Sequence, residues 1–178
     1  MRTTQVLLIA ALSSLAVAAR AQVPPTPAAD QLSMLKSADP HLARNKKLVF
    51  DFWRIVYEGG HLDRAPDFMA AGYIQHNPNV KSGRAAFVEL FSKQRPPQPI
   101  APRIKMPVIN ITADRDIVTV STARKVRDRA HPEHIYYITW FDQFRIDADG
   151  LIAEHWDPSE LWVDGKPPGA EFLNELLK

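Results

Sequence analysis

Two short stretches of the chain hold residues whose types suit proton transfer. The first, Tyr73-Ile74-Gln75-His76-Asn77-Pro78-Asn79, sets a histidine and amides directly after apolar residues. The second, Glu154-His155-Trp156-Asp157, follows an aromatic stretch that contains Phe141, Asp142 and Gln143. A carboxylate beside an imidazole can take a proton from a carbon next to a carbonyl, and a nearby amide can hold the resulting enolate oxygen. Each residue also has a plainer use. Asp157 before Pro158 suits a turn, and His155 suits a half-exposed cross-strand pair. His76 suits a buried, satisfied histidine, Asp142 an acceptor for a helix end or loop, and Glu154 a solvent-facing partner of a basic residue.

The elements that must position these groups can be read from pattern. Ile135 to Ile146 is rich in aromatic and β-branched residues, Asp147-Ala148-Asp149-Gly150 is a hairpin turn, and Leu151 to Trp156 returns. With Gly150 in the left-handed position, Asp147 faces Leu151, Gln143 faces His155 and Phe141 faces Asp157. Alternation then puts Gln143, His155 and Asp157 on one face with Tyr137 and Thr139. The other face carries Trp140, Asp142, Phe144, Ile146, Ile152, Glu154 and Trp156. A slip of one residue alters these partners and can exchange faces on one strand.

The first half of the folded part is helical. Asp39-Pro40 suits an N-cap and first helical position, Leu42, Leu48, Val49, Phe52, Ile55 and Val56 recur at helical spacing, and Gly59-Gly60 stop the run. Trp53 and Tyr57 lie on this helix as core residues or ligand-stacking rings. A short helix follows over about 62–69, and Ser82 caps a third whose apolar face is Ala86, Phe87, Leu90 and Phe91. Arg95 to Pro107 holds five prolines and is no element interior. Strands are expected at 108–112 and 117–122, with a turn at Asp114-Arg115-Asp116. Helices first and an antiparallel meander after them make the α+β pattern, with a curved sheet wrapped on helices around a cavity.

Composition bounds the partners. The 178 residues, 46% of them apolar, support one globular domain with a core. Cysteine is absent, which excludes disulfides, thiolate metal sites and cysteine nucleophiles. Residues 1–21 read as a cleavable export signal: Arg2, an apolar run from Val6 to Ala19, and Ala19-Arg20-Ala21 as the cleavage site after Ala21. That run of about 14 residues is shorter than the roughly 20 needed to span a bilayer, so no stable membrane insertion is expected. A periplasmic or secreted location follows. Residues 22–38 read as a flexible, proline-rich leader, and 39–178 as the domain. The formal charge of +2 belongs to Arg2 and Arg20, so the mature chain is neutral and has no general field for nucleic acid.

His131-Pro132-Glu133-His134 groups two imidazoles and a carboxylate, but proline breaks any helix that would aim them together, and spacing fixes no third protein ligand beyond them. No zinc site is expected there. The chain also lacks a Gly-x-Ser-x-Gly elbow, a phosphate loop and a dinucleotide fingerprint.

The order of Tyr73 to Pro78, Ser82-Gly83-Arg84-Ala85-Ala86-Phe87, Phe141-Asp142-Gln143-Phe144-Arg145, Asp149-Gly150 and Glu154-His155-Trp156-Asp157 resembles the SnoaL-like proteins of the nuclear transport factor 2-like superfamily, over about 48–162. The resemblance implies a cone: a strongly bent mixed sheet, about three helices across its open side and a deep pocket. It implies a cofactor-independent acid/base enzyme acting next to a carbonyl of a small apolar molecule, by aldol-type cyclisation, isomerisation or hydration. No metal and no cofactor are implied. Asp157 takes the place of the cyclases' acid/base aspartate. Gln143 stands where they carry an assisting histidine, and since glutamine does not titrate, His76 supplies the second titrating group. Gln143, Asn77 and Tyr73 then orient the enolate, with His155, Trp53, Tyr57 and Phe141 lining the substrate pocket. Two other readings follow from the same cone: a periplasmic protein that binds a small hydrophobic ligand without turnover, and a structural module whose outer sheet face pairs into a homodimer.

Overall fold

Asp39 opens the first helix as its side chain allows. Its Oδ1 accepts the His41 N–H at 2.7 Å, and Pro40 takes the first helical position, where no N–H is needed. The computed structural model describes residues 22–128 and 131–160. The expected export signal, residues 1–21, lies outside them, as do residues 161–178. Helix α1 (Pro40–Asp51) runs directly into a wider π-type turn (Phe52–Tyr57), whose end is marked by the Glu58 N–H on Trp53 O at 2.8 Å. Glycine then stops it. A Cβ on Gly59 would stand 2.5 Å from Ile55 O, and Gly60 adopts φ +70°.

A 3-10 helix (Leu62–Asp67), strand β1 (Met69–Gln75) and helix α2 (Arg84–Ser92) follow. Ser82 does not cap α2. The cap residue is Gly83, at φ +99° and without a side-chain bond, while Ser82 Oγ accepts the Gln75 N–H at 3.1 Å. The physical reason is that β1 is an edge strand, and its outer backbone groups need partners. Gly83 N–H meets a second one, Tyr73 O, at 2.6 Å.

The sheet is completed by β2 (Val108–Asp114), β3 (Ile117–Arg127), β4 (Ile135–Ile146) and β5 (Ile152–Trp156). Its order is β1-β5-β4-β3-β2. The pairs β2–β3, β3–β4 and β4–β5 are antiparallel, and β1 lies parallel to β5. The architecture is thus α+β with an open mixed sheet. Phe52 and Trp53 of the first helical run meet Phe144 of β4 with ring centroids 6.1 and 5.9 Å apart, and Val49, Val56, Val118, Val120 and Ile152 are fully buried in the same core.

The proline-rich residues 22–38 are held to the domain rather than free. Gln22 exchanges two 2.7 Å bonds with the backbone of Tyr137, and Gln31 exchanges two 2.9 Å bonds with the backbone of Ile104. Each side-chain amide satisfies one N–H and one C=O, as a neighbouring strand would. The later proline-rich stretch forms no regular element, as expected. It is tied down by Glu58, whose carboxylate takes the N–H groups of Lys105 (2.7 Å) and Met106 (2.9 Å).

Candidate functional site

The site begins with an extra residue. Asp147 N–H bonds Leu151 O at 2.9 Å, as the turn predicts, and Ile146 pairs with Ile152. The next pair is Arg145 with Glu154, so Ala153 is a bulge. From there the register is shifted by one residue: His155 pairs with Phe144, and Trp156 with Gln143. The expected pairs Gln143–His155 and Phe141–Asp157 do not form. Asp142 and Phe144 face the helices and are buried with His155, whereas Gln143 and Phe141 are exposed on the outer face.

The parallel partner β1 supplies the rest. Gln75 pairs with His155, and the His76 N–H bonds His155 O at 3.0 Å. Alternation sends Gln75 and Asn77 toward the imidazole side and His76 to the other. The His76 ring stacks on Trp156 at 4.8 Å and 3°, and its Nε2 lies 2.9 Å from Glu154 Oε2. Glu154 also pairs with Arg145. The His76 bond first, and Arg145 second, hold the Glu154 carboxyl below the usual carboxylate range. His76 therefore belongs to an outward cluster and does not face Asp157, contrary to the sequence expectation.

On the inner side, His155 is held at both nitrogens. Its Nδ1 lies 2.9 Å from Gln75 Oε1 and its Nε2 lies 3.2 Å from Asp142 Oδ1. The Gln75 atom is a carbonyl oxygen, because the Asn77 N–H donates to it at 3.1 Å while Gln75 Nε2 donates to Tyr73 Oη at 3.0 Å. His155 Nδ1 must then carry the proton it donates. That leaves Nε2 facing a carboxylate oxygen of Asp142. Asp157 is satisfied differently: both its oxygens take Asn77 Nδ2, at 3.0 and 2.9 Å, and Oδ1 also takes the Ser159 N–H at 2.9 Å. Its Oδ2 stands 3.9 Å from His155 Nδ1.

The sequence pattern gives Asp142 only the use of a structural acceptor and does not mark Arg124 as a site residue. Both converge here. Asp142 Oδ1 accepts from Trp140 Nε1 at 3.3 Å, and Oδ2 lies 3.9 Å from Arg124 Nη2. Arg124 lies 3.6 Å over the Trp140 ring; burial pulls its pKa down, while Asp142, Tyr57 and Asp157 pull it back up. Asp142 Oδ2, Arg124 Nε, Thr122 Oγ1 and Trp53 Nε1 are buried without a hydrogen-bond partner among the described residues. Thr122 and Arg124 sit on β3 opposite Trp140 and Ile138, on the face shared with Asp142. Tyr73 is 3% exposed, and burial, then Asp157 and Asp142, push its pKa up, which keeps it a phenol. Trp53 and Tyr57 meet edge to face at 5.3 Å.

Asp142, His155 and Asp157 bring one ligand atom each to within 4.8 Å of one another. The donor set is nonetheless a poor metal cradle. Both nitrogens of His155 and both oxygens of Asp157 are engaged by protein groups, and a guanidinium faces Asp142.

Solved structures resemble this one at low identity. A putative polyketide cyclase from Acidithiobacillus ferrooxidans is 14% identical, with 79% of this chain and 97% of that one covered and a TM-score of 0.48. TsrD from Streptomyces laurentii is 14% identical, with 80% and 98% covered and a TM-score of 0.42. RV0760c from Mycobacterium tuberculosis, in complex with estradiol-17β-hemisuccinate, is 15% identical, with 66% and 95% covered and a TM-score of 0.37. No curated protein matches the chain in sequence. The stretch from Val49 on the first helix to His155 in the shifted strand matches the SnoaL-like domain, residues 49–155, and with more than half of its length so matched the chain belongs to the SnoaL-like domain family.

Proposed function

We propose that the protein is a cofactor-independent acid/base enzyme that moves a proton at a carbon next to a carbonyl, with Asp142 as the proton acceptor. One observation carries this reading: Asp142 Oδ2 is buried and accepts no hydrogen bond among the described residues, with Arg124 Nη2 3.9 Å away, while Oδ1 is fixed by His155 and Trp140. A substrate carbonyl oxygen accepts a hydrogen bond from Arg124. The C–H bond beside it breaks toward Asp142 Oδ2, its electron pair becomes the enolate π bond, and the negative charge settles on the oxygen that Arg124 holds. Return of the proton to another carbon is isomerisation, and attack of the enolate on a second carbonyl is aldol-type cyclisation.

The other groups position this pair. His155 fixes the orientation of Asp142 through the 3.2 Å contact of its Nε2, and Gln75 fixes His155 in turn, with Asp157 3.9 Å away. Trp53, Tyr57 and Phe144, packed edge to face beside this pair, are the apolar groups that a small, mostly apolar molecule would meet there. The export reading places this chemistry in the periplasm or outside the cell. Phe141 and Ile74, 50% and 43% exposed, are apolar residues that a second copy would cover in a homodimer.

The test is solvent exchange. A panel of cyclic ketones and β-diketones is incubated in D2O with the protein, and deuterium uptake at the carbon next to the carbonyl is followed by NMR. Uptake that wild type catalyses and Asp142→Asn does not supports the reading. Equal uptake with both overturns it, and a ligand bound without exchange leaves the chain as a binding protein.

A further inference from the structure

The hairpin tip between β3 and β4 does something the sequence pattern argued against. Pro132 does not keep His131 and His134 apart. It occupies the second position of a reverse turn closed by the His134 N–H on His131 O at 2.8 Å. The two rings are thereby brought to 5.3 Å between centroids. Glu133 Oε1 stands between them, 3.5 Å from His131 Nδ1 and 3.8 Å from His134 Nε2. All three ligand atoms lie within 4.8 Å of one another.

We propose that His131, Glu133 and His134 form a surface site for a divalent transition-metal ion. The donor set of two imidazoles and one carboxylate is one that zinc and copper(II) take, and magnesium and calcium do not. A tetrahedral zinc with bonds of about 2.0–2.1 Å sets its ligands roughly 3.3 Å apart. The two observed contacts of 3.5 and 3.8 Å are close to that edge, and the third, between the two imidazole nitrogens, is within 4.8 Å, so rotation of the exposed side chains closes the site on an ion. The backbone beneath them is braced. Asp128 N–H bonds His134 O at 3.0 Å, Asp128 Oδ1 accepts the His131 N–H at 3.3 Å, and Arg127 Nη1 donates to Pro132 O at 2.6 Å. The side chains themselves are 61–67% exposed, so solvent water can complete the coordination sphere. The site is separate from the inner cluster around Asp142, whose nitrogen donors are already engaged.

Isothermal titration of zinc chloride or copper(II) chloride into the tag-free full chain tests this. One equivalent binds saturably, magnesium does not compete, and His131→Ala or His134→Ala each weakens binding at least about tenfold, the size that even an outer-shell partner contributes. On the wild-type protein, imidazole signals of His131 and His134 shift selectively on zinc addition, which removes any dependence on how the variants fold. Absence of a saturable equivalent, equal binding by the double variant, or loss of binding with His155→Ala instead would each overturn the proposal.

Discussion

His155 Nε2 lies 3.2 Å from Asp142 Oδ1, while His155 Nδ1 lies 2.9 Å from Gln75 Oε1. The other ring nitrogen is committed to Gln75, so the imidazole cannot turn away or change tautomer without breaking a bond. The carboxylate is thereby fixed through one oxygen, and its second oxygen accepts no hydrogen bond among the described residues.

Asp142→Asn removes that second oxygen's basicity while keeping its size. Proton transfer falls by about 10²–10⁴-fold, the usual range for a general base. His155→Gln loses less, because it disturbs orientation and leaves the carboxylate. Single-turnover exchange rates measured for both variants check the order; a His155→Gln protein slower than Asp142→Asn contradicts it.

His76→Ala leaves turnover unchanged, since its ring is stacked on Trp156 and bonded to Glu154 on the other side of the strand pair. Its effect is on pH-dependent stability. Glu154 has a depressed folded pKa, so its contribution is present above its ordinary value of 4.5 and is lost as pH falls through the folded value. The variant shrinks that acid loss by no more than about 1 kcal/mol, as for other surface ion pairs. Urea melts at pH 3–7 show it, and the Glu154 carboxyl resonance titrates higher.

Glu58 behaves in the opposite sense. Burial raises its pKa above 4.5, against the pull of the Lys105 and Met106 amides. The folded state therefore holds this proton more tightly than the unfolded one, and the Glu58 contribution to stability declines as pH rises from 4.5 through the raised folded value. Glu58→Gln flattens that slope in thermal melts. Glu58→Ala leaves the buried Met106 amide unpaired, at a cost of about 1–3 kcal/mol, and frees the part-buried Lys105 amide, which water can reach.

Gly60→Ala is destabilising by at least about 1–2 kcal/mol, the cost of a left-handed conformation with a side chain. The new Cβ would also stand 2.6 Å from Pro96 O and 2.7 Å from Arg95 O, which are backbone atoms with little room to yield. Denaturant midpoints measure it, and a wild-type midpoint would contradict the fit.

Much of the scaffold was legible because it rests on local chemistry. An aspartate before a proline starts α1, paired glycines stop the helical run, and β-branched stretches become β3 and β4. The reverse turn at Asp147–Gly150 also forms as its residues require. Asn77, Tyr73, His155 and Asp157 do meet on one side of the sheet, but for reasons the hairpin alone did not contain. Their meeting depends on β1 lying parallel beside β5, a pairing between residues some eighty positions apart.

The sequence by itself determined the first helical run, the strands from β2 to β5 and the turn between β4 and β5, and which residues can carry a proton; strand β1 was not among the expected elements. Only the tertiary structure decided which of them face inward. Ala153 adds one residue to one side of the β4–β5 ladder, and because side chains alternate with a period of two, that single insertion moves His155 from the side of Gln143 to the side of Asp142. No composition or spacing rule marks such a bulge; with it in place, Ile146, Ile152, Phe144 and His155 are all buried on the two sides of the shift.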